Sequence, residues 1–201
     1  IKFTAFSRSF TNISGSAGIS YEASDKVTFK ANIARGFRAP TLAELASNGA
    51  HEGTNRYEYG EQDLGSETSL QLDGGLDLNY EHFNVGLSVF HNRNVDGEDL
   101  QTFKFNQHHA KLTGLELMLD LHPHPLDWLH FENNFSFVRG KFDEAIDGSF
   151  NLPLIPAPRW NSELKAEFRK AGKFLQNFYG KLEADITFKQ NKSFAGFHTE
   201  T

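Results

Sequence analysis

The most regular feature of the chain is a two-residue alternation of apolar and polar positions. Between Leu70 and Tyr80, four leucines and the tyrosine share one parity, whereas polar side chains hold much of the other. A period of two is typical of a β-strand with two different faces. Glu81 and His82 then predict a tight turn, after which the alternation resumes at Phe83. The two segments therefore predict a pair of antiparallel strands.

The same pattern recurs along the chain and predicts eight strands in all. The segments that carry the alternation are Ile13–Ala23, Val27–Gly36, Leu70–Tyr80, Phe83–Asn92, Leu115–Leu121, Leu129–Phe137, Pro158–Arg169 and Phe178–Phe188. The strands are predicted to run about 10 to 16 residues, whereas strands of soluble proteins cluster near 5 or 6 and a tilted membrane-crossing strand needs roughly 9 to 11. Strand length therefore favours a lipid bilayer.

The connections between the predicted strands alternate strictly between two kinds. The short ones are Ser24–Lys26, Glu81–His82, Pro123–Leu126 and Lys170–Lys173. The long ones are Phe37–Ser66, Asn94–Asn106 and Phe142–Ala157. Antiparallel barrels of the bacterial outer membrane have short turns at the periplasmic rim and longer loops at the extracellular rim.

The polar parity carries a second argument for a membrane barrel. Its acidic members are Asp73, Asp77, Glu116, Asp120, Glu132, Glu183 and Asp185. This face cannot form a packed core, because burying an unpaired charge costs several kcal/mol or more. We therefore predict that the acids face a wet lumen and that the apolar parity, including Leu72, Leu87, Leu117 and Phe135, contacts lipid. The 20 phenylalanines suit such an outer surface.

Composition changes this picture little but excludes other classes. A hydrophobic fraction of 38% and a mean hydropathy of -0.50 resemble a soluble protein, yet an alternating barrel averages to similar values. The longest apolar runs are too short for a membrane-spanning helix. A net charge of -6 without a basic stripe argues against a nucleic-acid partner. The absence of cysteine excludes disulfides and thiolate metal sites.

The sequence contains none of the HExxH, GxSxG, Walker or GxGxxG motifs, so nothing supports catalysis or a resident cofactor. Two alternatives to a barrel segment stay open on pattern alone. One is a self-contained eight-stranded barrel that holds a small ligand. The other is a soluble carbohydrate-binding β-sandwich with the apolar parity inside.

Four segments resemble motifs of one membrane-protein family. Ala34–Leu45 (ARGFRAPTLAEL) resembles the segment ARGFRAPTxxEL in the barrel of TonB-dependent outer-membrane receptors. Tyr57–Leu64 with Glu67 resembles the family's YExGnpdLkpE segment, although Gln62 and Ser66 replace the usual prolines. Two further segments resemble the family's GxE and LPlIPPxR strand starts, Gly114–Glu116 and Leu152–Arg159.

The resemblance implies a 22-stranded barrel closed by a plug domain, of which residues 1–201 are a partial barrel without the plug and the last strands. It also implies a bacterial outer-membrane transporter, not an enzyme, that is embedded in lipid and energised by the TonB complex. The residues that carry the first motif are Arg35, Gly36, Phe37, Arg38, Ala39, Pro40, Glu44 and Leu45.

The first long connection is predicted to be an external loop that contains a short helix. Loops longer than about 12 to 15 residues are usually functional or disordered. We expect an external loop with a short helix that has Pro40 in its first turn and ends at Asn48–Gly49. Phe37, Arg38 and Pro40 would end the strand and anchor this loop.

The same loop carries the candidate ligand chemistry. His51, Glu52 and Glu58 offer the imidazole and carboxylate donors of a borderline metal site. The sequence around them is similar to a segment of zinc-uptake receptors. A histidine between the first two family motifs is also a point of resemblance to haem receptors. His108 and His109, near the end of the next long connection, could converge with His51.

The nutrient itself stays open among zinc, haem, a siderophore, cobalamin and a sugar. Zinc or haem would be a transported ligand. His122 and His124, among prolines on the short-turn side, are predicted to be turn residues.

Overall fold

The computed structural model describes residues 5–51, 56–93, 107–171 and 175–194. These described residues form one short helix, α1 (Leu42–Ala46), and eleven strands. The strands are β1 (Gly15–Ser24), β2 (Val27–Arg38), β3 (Asn48–His51), β4 (Arg56–Tyr59), β5 (Glu67–Tyr80), β6 (Phe83–Arg93), β7 (Ala110–Leu121), β8 (Leu129–Ile146), β9 (Ser149–Asn151), β10 (Arg159–Ala171) and β11 (Leu175–Thr187).

Eight of these strands form an up-and-down antiparallel sheet in the order β1-β2-β5-β6-β7-β8-β10-β11. β9 pairs with β8, and β3 and β4 form a separate hairpin. The eight strands of the main path correspond to the eight predicted ones, and the all-β, antiparallel fold class is confirmed. β7 begins at Ala110 and β8 continues to Ile146, so both are longer than their alternating segments.

The register keeps the two predicted faces separate across the whole sheet. One cross-strand row is almost entirely apolar and consists of Tyr21, Phe29, Leu76, Leu87, Leu117, Phe135, Trp160 and Ile186. The adjacent row on the other face consists of Ser20, Lys30, Gly75, Ser88, Glu116, Ser136, Arg159 and Thr187. Because a one-residue slip would exchange the faces, the pairing register is what sorts apolar from charged side chains.

The apolar face is uncovered over the described part of the chain. Leu72 is 47% exposed, Leu117 is 37% exposed and Leu182 is 73% exposed. The described residues contain no second sheet packed against this face, and β1 and β11 do not pair with each other. The described residues therefore form neither a β-sandwich nor a closed eight-stranded barrel. Within the same residues, no helix has the length and apolar character needed to span a membrane.

Aromatic side chains cluster where the short connections meet the sheet. Tyr80 and Phe83 stack with ring centroids 4.6 Å apart, and Trp128 stacks on Phe168 at 5.1 Å. The ammonium of Lys26 lies 5.2 Å from the Tyr80 ring centroid. Rings with polar edges, flanked by a cation, are typical of the interface between hydrocarbon and headgroups.

A small hydrophobic core lies at the opposite rim, on the face whose acids are predicted to line a wet lumen. Its buried members are Ala110, Phe142, Leu152 and Phe194. Ala110 pairs with Phe142, and this pair lies on the same face of the sheet as the Gly114–Val138 pair, four residues further along each strand. Leu152, which follows β9, and Phe194, which lies beyond β11, cover Ala110 and Phe142 at this end of the face. This end of the polar face is therefore apolar.

The third long connection also differs from its prediction. β8 continues past Phe142 to Ile146 and returns as β9 through Asp147 and Gly148, whose φ angles are 47° and 77°. Two consecutive left-handed residues are typical of a type I′ hairpin turn, for which Asp-Gly is a favoured pair. The first part of the predicted loop is therefore a hairpin.

Candidate functional site

Arg38 joins both ends of the first long connection. It is the last residue of β2 and pairs with Glu67, the first residue of β5. Its Nε donates to Oε2 of Glu67 at 2.6 Å, and its Nη1 donates to Oε1 of Glu44 at 2.8 Å. A planar guanidinium with several donors suits two carboxylates at once. Arg38 therefore links helix α1 to the end of the β2–β5 pair from which the loop emerges.

Helix α1 begins with a capping box that the sequence interpretation missed. The amide of Glu44 donates to Oγ1 of Thr41 at 3.3 Å, and the amide of Thr41 donates to Oε2 of Glu44 at 2.6 Å. The expectation that Pro40 lies in the first turn is wrong, because Pro40 precedes the N-cap residue Thr41. The helix ends at Ala46 with Ser47 as its C-cap, so the expected end at Asn48–Gly49 is wrong, and these two residues lie in β3 and pair with β4. Thr-x-x-Glu was the signal for this start.

The carboxylate of Glu44 is held in its charged form. Burial of its side chain by itself would raise its pKa. The hydrogen bonds from the Thr41 amide and the Arg38 guanidinium oppose burial, and together they lower the pKa of Glu44 below its ordinary value of 4.5.

The described residues of this loop pack closely together. The amide of Gly60 donates to the carbonyl of Ser47 at 2.7 Å, and the amide of Glu61 donates to the carbonyl of Glu44 at 2.8 Å. Leu45 and Leu64 are buried in it, at 5% and 7% exposure. Pro40 is buried as well. The family-motif residues therefore build and anchor the loop.

The proposed metal donors occupy several parts of the long-connection rim. His51 pairs with Arg56 and Glu58 pairs with Gly49, so the backbones of His51 and Glu58 are diagonal neighbours in the β3–β4 hairpin. Glu52 lies outside the described residues.

The other two donors directly precede β7, which begins at Ala110. The ring of His108 packs edge-on against Phe142 with centroids 6.0 Å apart. His109 is exposed, and its carbonyl accepts a hydrogen bond from the amide of Asp143 at 2.9 Å.

Gln107 links the two long connections that carry these donors. Its Nε2 donates to the carbonyl of Gly65 at 2.8 Å, and its Oε1 accepts from the amide of Gly65 at 2.8 Å. The segment before His108 is thereby fixed beside the end of the loop that contains His51. Convergence of the side chains on one ion stays a prediction.

The polar face of the sheet forms open grooves. One, of about 310 Å³, is lined by residues that include Lys30, Asn32, Asp73, Asp77 and Glu116. Lys30 forms an ion pair with Asp77, and Nδ2 of Asn32 donates to Asp73 at 2.9 Å. A groove of about 430 Å³ follows it across β8 and β10. These charged and paired side chains form a wall suited to water.

A second cluster of donors lies at the short-connection rim and was missed from the sequence. Among the described residues, Asp120, His122 and His130 form the one group of three carboxylate and imidazole donors with all ligand atoms within 4.8 Å of one another.

His122 and His124 both lie in the connection between β7 and β8, where they were predicted, and a ring nitrogen of His124 lies 3.3 Å from Asp127. The turn prediction did not include the approach of His122 to Asp120 and His130. The signal was present in the sequence. Asp120 pairs with Glu132, so the same register continued brings His122 opposite His130.

Comparison with known proteins supplies the family. The model of the family described as TonB dependent receptor-like, beta-barrel matches residues 1–198. No curated protein matches the chain.

Several solved structures resemble the fold. The copper transporter OprC is 19% identical, with a TM-score of 0.68 over 90% of this chain and 27% of its own. The siderophore receptor PirA from Pseudomonas aeruginosa is 27% identical, with a TM-score of 0.56 over 80% of this chain and 28% of its own. The ferric yersiniabactin uptake receptor FyuA from Yersinia pestis is 17% identical, with a TM-score of 0.55 over 77% and 23%.

This chain thus spans about a quarter of the length of these structures. Receptors of this family are bacterial outer-membrane transporters, not enzymes. The zinc or haem type stays a prediction. The match over nearly the whole length and the up-and-down sheet of long strands show that this chain belongs to the TonB-dependent receptor family, as part of the β-barrel domain.

Proposed function

We propose that this chain forms part of the wall and outer loops of a receptor that captures a metal ion or metal chelate outside the cell and imports it. The candidate ligands are zinc, haem and a metal-bound siderophore. The plug domain and the TonB complex, which would supply the response and the energy, belong to the same proposal. The related structures are named for copper, a siderophore and ferric yersiniabactin, which supports a metal-containing nutrient.

The observation that carries this proposal is the pair of hydrogen bonds between Gln107 and Gly65. These bonds fix the base of the second long connection to the end of the first, so loops with His51, Glu58, His108 and His109 share one part of the rim. Imidazole and carboxylate donors suit zinc and related borderline ions, and an imidazole can also bind haem iron.

The sheet itself supports passage of a polar ligand. On the polar face Lys30 pairs with Asp77 and Arg159 pairs with Asp185, and Asn32 donates to Asp73. A face with this many charged groups is suited to contact with water and unsuited to a packed core. The apolar face, which carries the exposed leucines, is the side that would meet lipid.

Growth and uptake test the proposal in a strain that lacks the receptor gene. The strain is complemented with the unsubstituted receptor or with His51→Ala, and it is grown under zinc limitation and separately under iron limitation with haem or siderophore as the iron source. We expect the deletion to impair growth under one limitation. Loss of one metal donor is expected to lower uptake at limiting ligand by about tenfold, equivalent to about 1.4 kcal/mol of binding.

His91→Ala is the matched control, because His91 lies on the outer face of β6 with its Nδ1 2.9 Å from Oγ1 of Thr113. Normal growth of the deletion strain under every metal limitation would contradict the proposed function. Normal uptake by His51→Ala, with a growth defect in the deletion strain, would contradict only the ligand assignment.

A further inference from the structure

Two histidines and an aspartate meet at the rim opposite the long loops. Asp120 lies near the end of β7, His122 follows this strand, and His130 lies near the start of β8. The side chains are half-buried, with 32%, 22% and 29% exposure respectively. Asp120 shares the polar face with Asn84 and Glu132, so the cluster faces the groove side of the sheet.

The hydrogen bonding of His122 determines which of its nitrogens is free. Its Nε2 lies 2.7 Å from the carbonyl oxygen of Glu81. A carbonyl only accepts hydrogen bonds, so Nε2 carries the hydrogen and, in the neutral ring, Nδ1 holds a lone pair. Histidines that bind metals are commonly oriented in this way by a carbonyl on the other ring nitrogen.

The lone pair of His122 faces a carboxylate. Its Nδ1 is buried, lacks a hydrogen-bond partner and lies 3.5 Å from Oδ2 of Asp120. Oδ1 of Asp120 is likewise buried without a hydrogen bond and lies 3.9 Å from Nδ1 of His130. When His122 is neutral, its Nδ1 lone pair and the Asp120 carboxylate repel each other unless a proton or a metal ion lies between them.

The separations suit a metal ion better than direct hydrogen bonds. A charge-assisted N–H···O bond spans about 2.7 to 2.9 Å. Two ligands at about 2.1 Å from a tetrahedral zinc ion are about 3.4 Å apart. Asp120 oxygens lie 3.5 and 3.9 Å from the two imidazole nitrogens, and the three ligand atoms lie within 4.8 Å of one another. The cluster must therefore contract by no more than about 1.4 Å to surround one ion.

Neighbouring groups hold the cluster in place. Nδ2 of Asn84 donates to Oδ2 of Asp120 at 3.3 Å, and the amide of His122 donates to the carbonyl of His82 at 3.0 Å. The end of β7 is therefore fixed to the turn between β5 and β6. Such supporting contacts are what a metal site needs around its direct ligands.

We propose that Asp120, His122 and His130 form a binding site for a divalent transition-metal ion of the zinc type. Two imidazoles and one carboxylate suit Zn²⁺ and also accept Co²⁺ and Ni²⁺. Three protein ligands leave a fourth position open, so the bound ion can exchange. The site lies at the short-connection rim, separate from the outer loops, and does not depend on which nutrient the receptor imports.

The test uses the full receptor that contains this chain, purified in detergent and stripped with a chelator. Zn²⁺ binding is measured by equilibrium dialysis, and Co²⁺ is added separately as an absorption probe. We compare the unsubstituted protein with Asp120→Asn, His122→Ala and the double variant His122→Ala/His130→Ala, with His91→Ala as the control.

We expect each test variant to lose one equivalent of Zn²⁺ or to bind it about 10- to 100-fold more weakly. The absorption band of bound Co²⁺ should disappear as well. His91→Ala and the outer-loop variant His51→Ala are expected to retain that equivalent. Asp120→Asn preserves the shape of the side chain and therefore serves if the alanine variants fail to fold. Unchanged stoichiometry and affinity in folded Asp120→Asn would overturn the proposal.

Discussion

At the residue scale, Gly60 shows how an absent side chain determines the path of a loop. A Cβ built on Gly60 would lie 2.4 Å from the backbone nitrogen of Ala46 and 2.6 Å from that of Ser47. Backbone atoms cannot move aside as a flexible side chain can. The tight approach is what allows the Gly60 and Glu61 amides to reach α1 and its C-cap.

Gly60→Ala is therefore expected to displace α1 and destabilise the folded loop by about 1–3 kcal/mol. Faster hydrogen exchange of the Gly60 and Glu61 positions and of α1 would report the displacement. Gly49→Ala is the matched control in the same loop, because a Cβ there meets nothing within 4 Å. Equal exchange rates in the two variants would show that the close approach is unimportant.

Glu44 makes the same loop sensitive to acid. Its pKa is lowered in the folded loop, so the stabilisation it contributes is complete above its ordinary value of 4.5 and is lost as pH falls through the lowered value. We expect exchange of the α1 amides, corrected for intrinsic rates, to accelerate below pH 4.5.

In Glu44→Gln, which cannot carry the charge, the protection of α1 should be weak at neutral pH and change little on acidification. A loop whose protection in the unsubstituted protein is independent of pH would rule out this role for Glu44.

At the element scale, the Asp147–Gly148 turn sets the direction of the β8–β9 hairpin. Gly148 has a φ of 77°, a conformation that costs residues with a Cβ about 1–2 kcal/mol. The hairpin places β9 so that Leu152 can donate from its amide to the carbonyl of Gly140 at 3.2 Å and enter the small core.

Gly148→Ala is expected to raise the opening rate of this hairpin, measured by hydrogen exchange at Leu152, by about tenfold for the same 1–2 kcal/mol. Gly180→Ala is the control, since a Cβ at Gly180 also meets nothing within 4 Å but lies in the regular strand β11. A similar change in both variants would point to chain entropy instead of the left-handed turn.

Strand positions were predictable, whereas loop structure was largely not. The alternation from Leu70 to Tyr80 locates β5 because each side chain reports its own face. The β3–β4 hairpin has four residues per strand. β3 carries no such alternation, and the alternation of β4 covers only four residues, which is too short to distinguish a strand from a loop. The capping box and the Asp-Gly turn did have local signals, and these were overlooked.

At the scale of the whole molecule, two rows of opposite character run across every strand of the main path. Adjacent residues such as Leu87 and Ser88, or Leu117 and Glu116, belong to different rows. Lipid should therefore be detected at one member of each pair and water at the other.

Nitroxide labels on single cysteines test this arrangement in the lipid-embedded receptor, and this chain contributes no cysteine of its own. Labels at Leu87→Cys and Leu117→Cys are expected to collide with oxygen dissolved in the bilayer. Labels at Ser88→Cys and Glu116→Cys are expected to collide with a water-soluble nickel complex. The reverse pattern would place the acids in lipid, which their charge makes untenable, and would end the barrel interpretation.

The sequence by itself determined the strands, the apolar and polar face of each strand, the two kinds of connection and the family. These depend on periodicity and on local motifs, which are written in consecutive residues. The tertiary structure alone decided that Arg38 clamps Glu44 and Glu67 and that residues after β9 and β11 cover one end of the polar face. It also decided how closely the side chains of Asp120, His122 and His130 approach one another. Such contacts join side chains of different strands, turns and loops, and their geometry depends on the paths of several elements at once.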